Sequence, residues 1–261
     1  MKSRVLAPVL ALTTALSLAL VGCGKEDPPS LPPSDSMEIP AFGADTSGAL
    51  CLQGSPGANY QLAAGAVGFV TGALWLALLP PRSVFLQVLA QRAEQDGDDW
   101  VWTKNYLLGN TAELRGRVQD GLQLELHFTG TVGQSTFDDF IWFTGQHHAT
   151  EGQWVFYDPT APTDAVLTID WARASATDKD LVFTAVKQGV DTYGDSISYS
   201  LKGTTASMTL HDALNSQGVE ATFSVEWDTA DGSGMMTGAD SATYCWDTLT
   251  NDQVDIACPA P

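Results

Sequence analysis

Two adjacent histidines followed by a glutamate could bind a metal ion. His147, His148 and Glu151 combine imidazole and carboxylate groups, which are common zinc ligands. Successive residues of a strand point to opposite faces, so both imidazoles could reach one ion only from a turn. Gly145 and Gly152 flank the group and favour such a turn. Solvent-exposed hairpin residues show the same pattern, and we predict no metal site and no cofactor.

A second group resembles the start of a serine hydrolase motif. The stretch Gly194-Asp195-Ser196-Ile197 is similar to the GDS sequence of a lipase-like hydrolase family. In that family the serine follows the first strand of an α/β domain, whereas Ser196 lies late in the chain between two predicted strands. No G-x-S-x-G motif occurs in the sequence. We interpret these residues as a turn.

Acidic residues are numerous enough to suggest calcium binding or glycoside hydrolysis. Asp96, Asp98 and Asp99 form one close group, and Asp228 and Asp231 form another. Carboxylate oxygens suit calcium, but neither group has the spacing of an EF-hand loop. A catalytic carboxylate pair depends on proximity in space, for which the sequence gives no positive sign. We interpret both groups of aspartates as solvent-exposed turns, which are common in a chain this acidic.

The first 23 residues indicate where the protein is located. A short basic start precedes an uncharged apolar stretch, residues 5–20, as in an export signal. The segment Leu20-Val21-Gly22-Cys23 resembles the lipobox of bacterial lipoproteins. This resemblance implies that residues 1–22 are a signal peptide and that Cys23 carries acyl chains such as palmitate. The alternative is an ordinary secretory signal with an incidental cysteine.

Charge limits the partners of the exported chain. Loss of residues 1–22 removes two positive charges and no acid, so the formal net charge of −19 becomes −21. Phosphate backbones and anionic lipids repel such a chain, so nucleic-acid binding is disfavoured and the membrane is reached through Cys23. Gly24, and not an aspartate, follows that cysteine. We therefore predict a cell-envelope protein anchored in the outer membrane.

The domain organisation follows from composition. Prolines in Gly24–Pro40 favour an extended, unpacked spacer. Ala41–Asn59 is rich in glycine and serine, so residues 23–59 as a whole are predicted to be a tether and an entry segment. The remaining residues, 60–261, are predicted to form a single domain.

Three cysteines follow Cys23, and oxidation would leave one of them unpaired. Cys245 and Cys258 would close a short loop near the C-terminus, at little entropic cost, and we predict this disulfide. Pairing of Cys51 with the C-terminal region is the alternative. A metal-binding role for these cysteines is less well supported than a disulfide, because no second closely spaced pair of cysteines or histidines accompanies them.

The most apolar stretch after the signal is Tyr60–Leu79, which predicts a helix that ends at Pro80-Pro81. It is long enough to cross a membrane. A crossing would leave the later strands in the cytoplasm, against the topology implied by Cys23, so we predict a buried core helix. Ser83–Gln95 predicts a second, amphipathic helix capped by Gly97, and the two helices form a hairpin.

From Trp100 onward apolar and polar residues alternate, which predicts β-strands. Ala112–Val118 and Leu122–Phe128 form the clearest pair, with Asp120-Gly121 as the hairpin turn between them. Further runs complete about ten strands: Phe140–Phe143, Trp154–Tyr157, Val166–Arg173, Leu181–Lys187, Ile197–Lys202, Ala206–His211 and Val219–Asp228. We predict an α+β fold, mainly β, in which an antiparallel meander curves around or packs on the helical hairpin.

Three functions are compatible with this fold. The first is a non-enzymatic structural or interaction module of the envelope, favoured because no catalytic group is evident. The second is a carrier or binder of an apolar, lipid-like ligand in a cavity between sheet and helix, lined by Leu124, Phe128, Trp171 and Phe223. The third is an extracytoplasmic hydrolase. The predicted partners are the membrane, an apolar ligand or another envelope protein.

Overall fold

The computed structural model describes residues 27–40, 42, 57–213, 220–249 and 252–258, and both Cys23 and Cys51 lie outside them. Within these ranges one α-helix, α1 (Ala58–Leu89), precedes a single antiparallel sheet, and two 3-10 helices span Ser34–Met37 and Leu107–Gly109. The strands are β1 (Glu94–Asp96), β2 (Asp99–Asn105), β3 (Thr111–Val118), β4 (Leu122–Val132), β5 (Ser135–His147), β6 (Glu151–Asp158), β7 (Ala161–Ser175), β8 (Asp178–Ala185), β9 (Ser196–Lys202), β10 (Thr205–Asp212), β11 (Ala221–Asp228), β12 (Gly234–Thr237), β13 (Thr243–Leu249) and β14 (Asp252–Ile256).

The sheet is a meander in which each strand pairs with its neighbours in the chain. The predicted class, mainly β and antiparallel, is confirmed, but the sheet has fourteen strands and not about ten. The additional strands are β1 and β12–β14. The predicted hairpin between β3 and β4 is present, and its turn places Asp120 and Gly121 at positive φ, 51° and 99°. Only glycine adopts such a φ freely, which explains its position in the turn.

Alternation decides which side chains the sheet buries. In β4, Leu122, Leu124 and Leu126 are buried, whereas Gln123 and Glu125 between them are exposed. Successive side chains of a strand point to opposite faces. One face of the sheet therefore forms the core and the other meets solvent.

The structure shows one helix where the sequence predicts a hairpin of two. α1 runs through Pro80 and Pro81 without interruption. Each proline removes one backbone donor but keeps a φ that suits a helix. Burial of Pro81, Phe85 and Val88 against the sheet compensates for the lost hydrogen bonds. Glu94 and Gln95, predicted to end the second helix, lie in β1, and Gly97 lies in the turn to β2 at φ 63°.

α1 packs on the sheet through one face only. The ring centre of Phe85 lies 5.5 Å from that of Phe143 and 5.6 Å from that of Trp154. Near the start of the helix, the ring of Tyr60 lies 6.1 Å from that of Trp246. The helix contacts β2 and β3 near one edge of the sheet and β12–β14 near the other. It therefore bridges the two ends of the sheet. The prediction of a buried core helix is wrong for most of its length, because only 22% of its most apolar stretch is buried.

Residues 35–39, which the structure describes before α1, are packed, although the sequence predicts an unpacked spacer there. Ser36, Met37 and Ile39 are buried. The indole Nε1–H of Trp154 donates to the Ser36 hydroxyl at 3.1 Å. The Asp35 carboxylate accepts from Arg173 Nη1 at 2.9 Å. These contacts place residues 35–39 against the sheet and beside α1.

Candidate functional site

The outward face of α1 is apolar and exposed. Phe69, Leu76 and Leu62 expose 79%, 65% and 55% of their surface, respectively. From Leu62 to Leu79 this strip is about 26 Å long and carries no charge. α1 is the helix among the described residues that is long and apolar enough to cross a membrane, by length and composition alone. A contiguous exposed apolar surface on a folded protein marks an interaction site.

A cavity of about 360 Å³ lies along one flank of this face. One wall is formed by α1, where Gly68, Gly72, Trp75 and Leu78 recur at helical spacing. Met37–Ile39 and Phe183 of β8 form the other walls. A β-carbon built on Gly68 or Gly72 would meet no atom within 4 Å, so the missing side chains of these glycines leave the space open.

An ion pair lies at the C-terminal end of the cavity. Arg82, the one charged residue of α1, donates from Nη2 to the carboxylate of Glu38, and both residues line the cavity. The Nε–H of Arg82 is buried and has no hydrogen-bond partner among the described residues. A buried donor without a partner costs about 1–3 kcal/mol. This end of the cavity can therefore bind an acceptor group.

The N-terminal end of α1 is held by the last strand. The Asp255 carboxylate accepts hydrogen bonds from the backbone N–H groups of Ala58 at 3.1 Å and Asn59 at 2.9 Å. A carboxylate at this position satisfies helix donors and complements the positive end of the helix dipole. A β-carbon on Gly57 would come within 2.3 Å of Asp255 Oδ1, so glycine is required for this approach.

A disulfide joins the strands that hold this end of the helix. Cys245 on β13 is bonded to Cys258, which follows β14, as the sequence predicts. The side-chain amide of Asn59 donates to the Cys245 carbonyl at 3.0 Å. The disulfide therefore supports the start of α1.

The four residues predicted to line a ligand cavity have other positions. Leu124, Phe128 and Trp171 are buried in the core, and Phe223 is partly buried against it. Among the described residues, none of the four is in the wall of the cavity beside α1. Their predicted role in ligand binding stays a prediction. The predicted lipid attachment site, Cys23, lies outside the described residues.

The histidines considered as metal ligands are not brought together. His147 is buried inside the sheet, with its ring centre 4.1 Å from that of Trp154, and the Trp171 indole N–H donates to its Nδ1 at 3.2 Å. His148 is exposed in the turn to β6. In the part of the chain that the structure describes, no three His, Cys, Asp or Glu side chains are arranged to hold an ion.

The serine of the hydrolase-like stretch begins a strand. Ser196 is the first residue of β9 and pairs in register with His211 of β10. Their side chains form no hydrogen bond with each other, and His211 Nδ1 instead lies 3.5 Å from the Thr222 hydroxyl. A serine nucleophile needs a base within hydrogen-bond reach. The described contacts of Ser196 supply none.

Comparison of the chain with protein-family models, with curated proteins and with solved structures finds no match. The function is therefore inferred from the geometry of α1 and its surroundings.

Sequence reasoning missed Glu38, Arg82 and Phe183. The helical pattern does show one sign of the cavity, because Gly68, Gly72 and Trp75, which line it, share a predicted face rich in small residues. The predicted opposite face is not uniform: Val67 is buried in the core, whereas Leu74 and Leu78 also line the cavity. The missing side chains of the two glycines were therefore a signal of space beside the helix.

Proposed function

We propose that this chain is a lipid-anchored, non-enzymatic protein of the cell envelope, held in the outer membrane by acyl chains on Cys23, and that α1 rests on the bilayer. The exposed, uncharged strip from Leu62 to Leu79 carries the proposal. Interfacial helices bury such a face about 5–10 Å into the boundary between headgroups and acyl chains. In this protein the sheet covers the side of α1 that would otherwise face water.

The position of the anchor supports a bilayer as the partner. Cys23 precedes Asp27 by four residues, a reach of at most about 14 Å. Asp27 lines a surface recess with Arg92 and Ala93, just beyond the C-terminal end of α1. Acyl chains on Cys23 would therefore hold the helix close to lipid. A second copy of the chain would not need this arrangement.

Charge supports contact with neutral lipid. The chain carries a formal net charge of −19, yet the strip on α1 contains no acid. Binding through it depends on apolar burial and is insensitive to salt, unlike binding through charged groups.

Vesicle flotation tests the proposal. The mature chain, residues 23–261, with Cys23→Ser has no signal peptide and cannot be acylated. It should float with phosphatidylcholine vesicles at low and at high salt. Phe69→Gln with Leu76→Gln should lower the partition coefficient about 10-fold or more, because burial of each side chain contributes about 1.5–3 kcal/mol. Mass spectrometry of the membrane-extracted natural chain should show a lipid mass on Cys23.

Leu107→Gln is the matched control, because Leu107 is 88% exposed but lies in the turn between β2 and β3. This variant should float like the parent. The proposal would be overturned if Leu107→Gln lost as much vesicle binding as Phe69→Gln with Leu76→Gln, or if the parent did not float at all. A dimer of the parent that Phe69→Gln dissociates would show that a second copy covers the face, which also contradicts it.

A further inference from the structure

We propose that the cavity beside α1 binds one amphiphile with a single hydrocarbon chain and an anionic headgroup. The chain would lie along Gly68–Leu78, and the headgroup would accept a hydrogen bond from Arg82. This site goes beyond membrane attachment, because it holds an individual molecule inside the protein. It does not depend on α1 resting on a bilayer.

The shape of the cavity fits one hydrocarbon chain. Its helix wall runs from Gly68 to Arg82, fourteen residues apart, which corresponds to about 21 Å along the helix axis. Trp75, Leu78 and Phe183 line it with apolar surface. A volume of about 360 Å³ is at the low end of the range of about 300–1,000 Å³ for small-molecule pockets. A long, narrow and apolar space of this size suits one extended chain and not the two chains of a bilayer phospholipid.

The polar end of the cavity fits an anionic headgroup. The guanidinium of Arg82 is partly buried, with 22% of its side chain exposed, and its Nε–H has no partner among the described residues. A carboxylate or phosphate oxygen would accept this hydrogen bond, and arginine binds such groups well because its donors form a planar fork.

Glu38 occupies part of that fork in this structure. Its side chain is 41% exposed, so it can turn toward solvent when a headgroup arrives. The Glu38 carboxylate then competes with the ligand for Arg82. Removal of its charge should strengthen binding of an anion, whereas removal of the charge of Arg82 should weaken it.

Calorimetric titration with palmitate tests the chain site. The mature chain, residues 23–261, with Cys23→Ser is used, so that neither a signal peptide nor an acyl chain of its own competes. Gly72→Leu would fill the cavity without a clash, since a β-carbon there meets nothing within 4 Å. It should weaken palmitate binding about 10-fold or more, because about 1.5–3 kcal/mol of apolar burial is lost with the displaced part of the chain.

Gly65→Leu is the matched control. Gly65 has equally open surroundings and lies on the same helix, but it is not in the cavity wall. This variant should bind palmitate as the parent does, and both variants should show the same thermal melting as each other. No palmitate binding by the parent, or equal losses in the two variants, would overturn the proposal.

Three ligands with the same chain length test the headgroup: palmitate, a palmitoyl lysophosphatidate and hexadecanol. Arg82→Gln should weaken binding of the two anions about 10-fold, since a hydrogen bond to a charged group contributes about 1.5–3 kcal/mol, and should leave hexadecanol unchanged. Glu38→Gln should tighten binding of both anions. If lysophosphatidate binds more tightly than palmitate, the natural headgroup is a phosphate. If palmitate binds more tightly, the natural headgroup is a carboxylate.

Equal affinity for hexadecanol and the two anions would overturn the assignment of an anionic headgroup. Vesicle flotation of the same parent chain is measured separately. A parent that binds palmitate but does not float contradicts only the membrane proposal, and a parent that floats but does not bind palmitate contradicts only the cavity proposal.

Discussion

His147 is kept neutral by its surroundings. His147 is 3% exposed, and its ring centre lies 4.1 Å from that of Trp154 with the two rings tilted by 54°. Its Nδ1 accepts the Trp171 indole N–H, which requires that Nδ1 carry no proton. Burial, together with the neighbouring His148, lowers the pKa of His147 from 6.5 to about 4. Protonation would place a charge in the core and replace an acceptor by a donor facing Trp171.

This arrangement predicts a loss of stability in mild acid. Between pH 6.5 and about 4 the unfolded chain binds a proton at His147 that the folded chain does not. The contribution to the free energy of unfolding is complete above pH 6.5 and falls, by up to about 3 kcal/mol, as the pH drops to about 4. Urea denaturation at a series of pH values measures this slope.

Two variants identify the residue responsible. His147→Leu should flatten the slope between pH 6.5 and 4, whereas His211→Gln, on a partly exposed strand face, should leave it in place. Lys187 and Thr160 hold the pKa of Asp158 well below its usual range. The contribution of Asp158 is therefore lost only at lower pH, outside this window. An unchanged slope in His147→Leu would contradict the assignment.

At the scale of elements, the alternation of apolar and polar residues correctly predicted the strands that have one buried and one exposed face. β2–β11 all show it, and hydrophobic burial forces one register on such a strand. The missed strands lack this pattern. β1 (Glu94–Asp96) is exposed throughout, β12 has four residues, and β14 (Asp252–Ile256) is mostly polar. Their pairing depends on neighbouring strands, which local sequence does not show.

The proline pair misled the prediction of α1 for a physical reason. Proline disfavours a helix interior by about 3 kcal/mol relative to alanine, so a local rule ends the helix at Pro80. Contacts made by Phe85 and Val88, five and eight residues after Pro80, outweigh that cost. Such contacts depend on the sheet, whose strands all come later in the chain.

A substitution at Pro80 distinguishes one helix from two. Pro80 is exposed, so Pro80→Ala removes the helix penalty without loss of packing. We expect the free energy of unfolding to rise by about 2 kcal/mol, since the gain of about 3 kcal/mol is offset by the greater freedom of the unfolded chain. Urea denaturation measures it. Pro81→Ala should gain less, because Pro81 is buried. A lower stability of Pro80→Ala would indicate a turn at this position.

At the scale of the whole molecule, the core explains why one face of α1 is left uncovered. Aromatic side chains from the strands, including Trp154, Tyr199 and Trp246, are fully buried and already fill much of the core on the inner face of the sheet. The sheet therefore needs only one face of a helix to complete its core. The sequence shows how apolar α1 is, but not how much of the core the strands fill by themselves. Because the strands fill most of the core by themselves, α1 keeps both an exposed strip and a cavity along its flank.

The last strand of the sheet, β14, contacts the start of α1. Within the described pairing, β14 is the last strand and is bonded to β13 alone. The Cys245–Cys258 disulfide is its second connection to the sheet. Asp255, which accepts the first N–H groups of α1, depends on both. Loss of the disulfide should therefore loosen the N-terminal end of α1 before the rest of the fold.

We predict that Cys245→Ala with Cys258→Ala lowers the free energy of unfolding by about 2–4 kcal/mol, the usual contribution of a disulfide that closes a short loop. Hydrogen exchange should locate the effect. Amides at the start of α1, residues 61–67, should lose more protection than those of β4–β8, because only the former depend on β14. Cys51→Ser is the control and should change neither quantity. Equal loss of protection throughout the sheet would contradict a local role, and an effect of Cys51→Ser as large as that of the double variant would show that Cys51 takes part in the pairing.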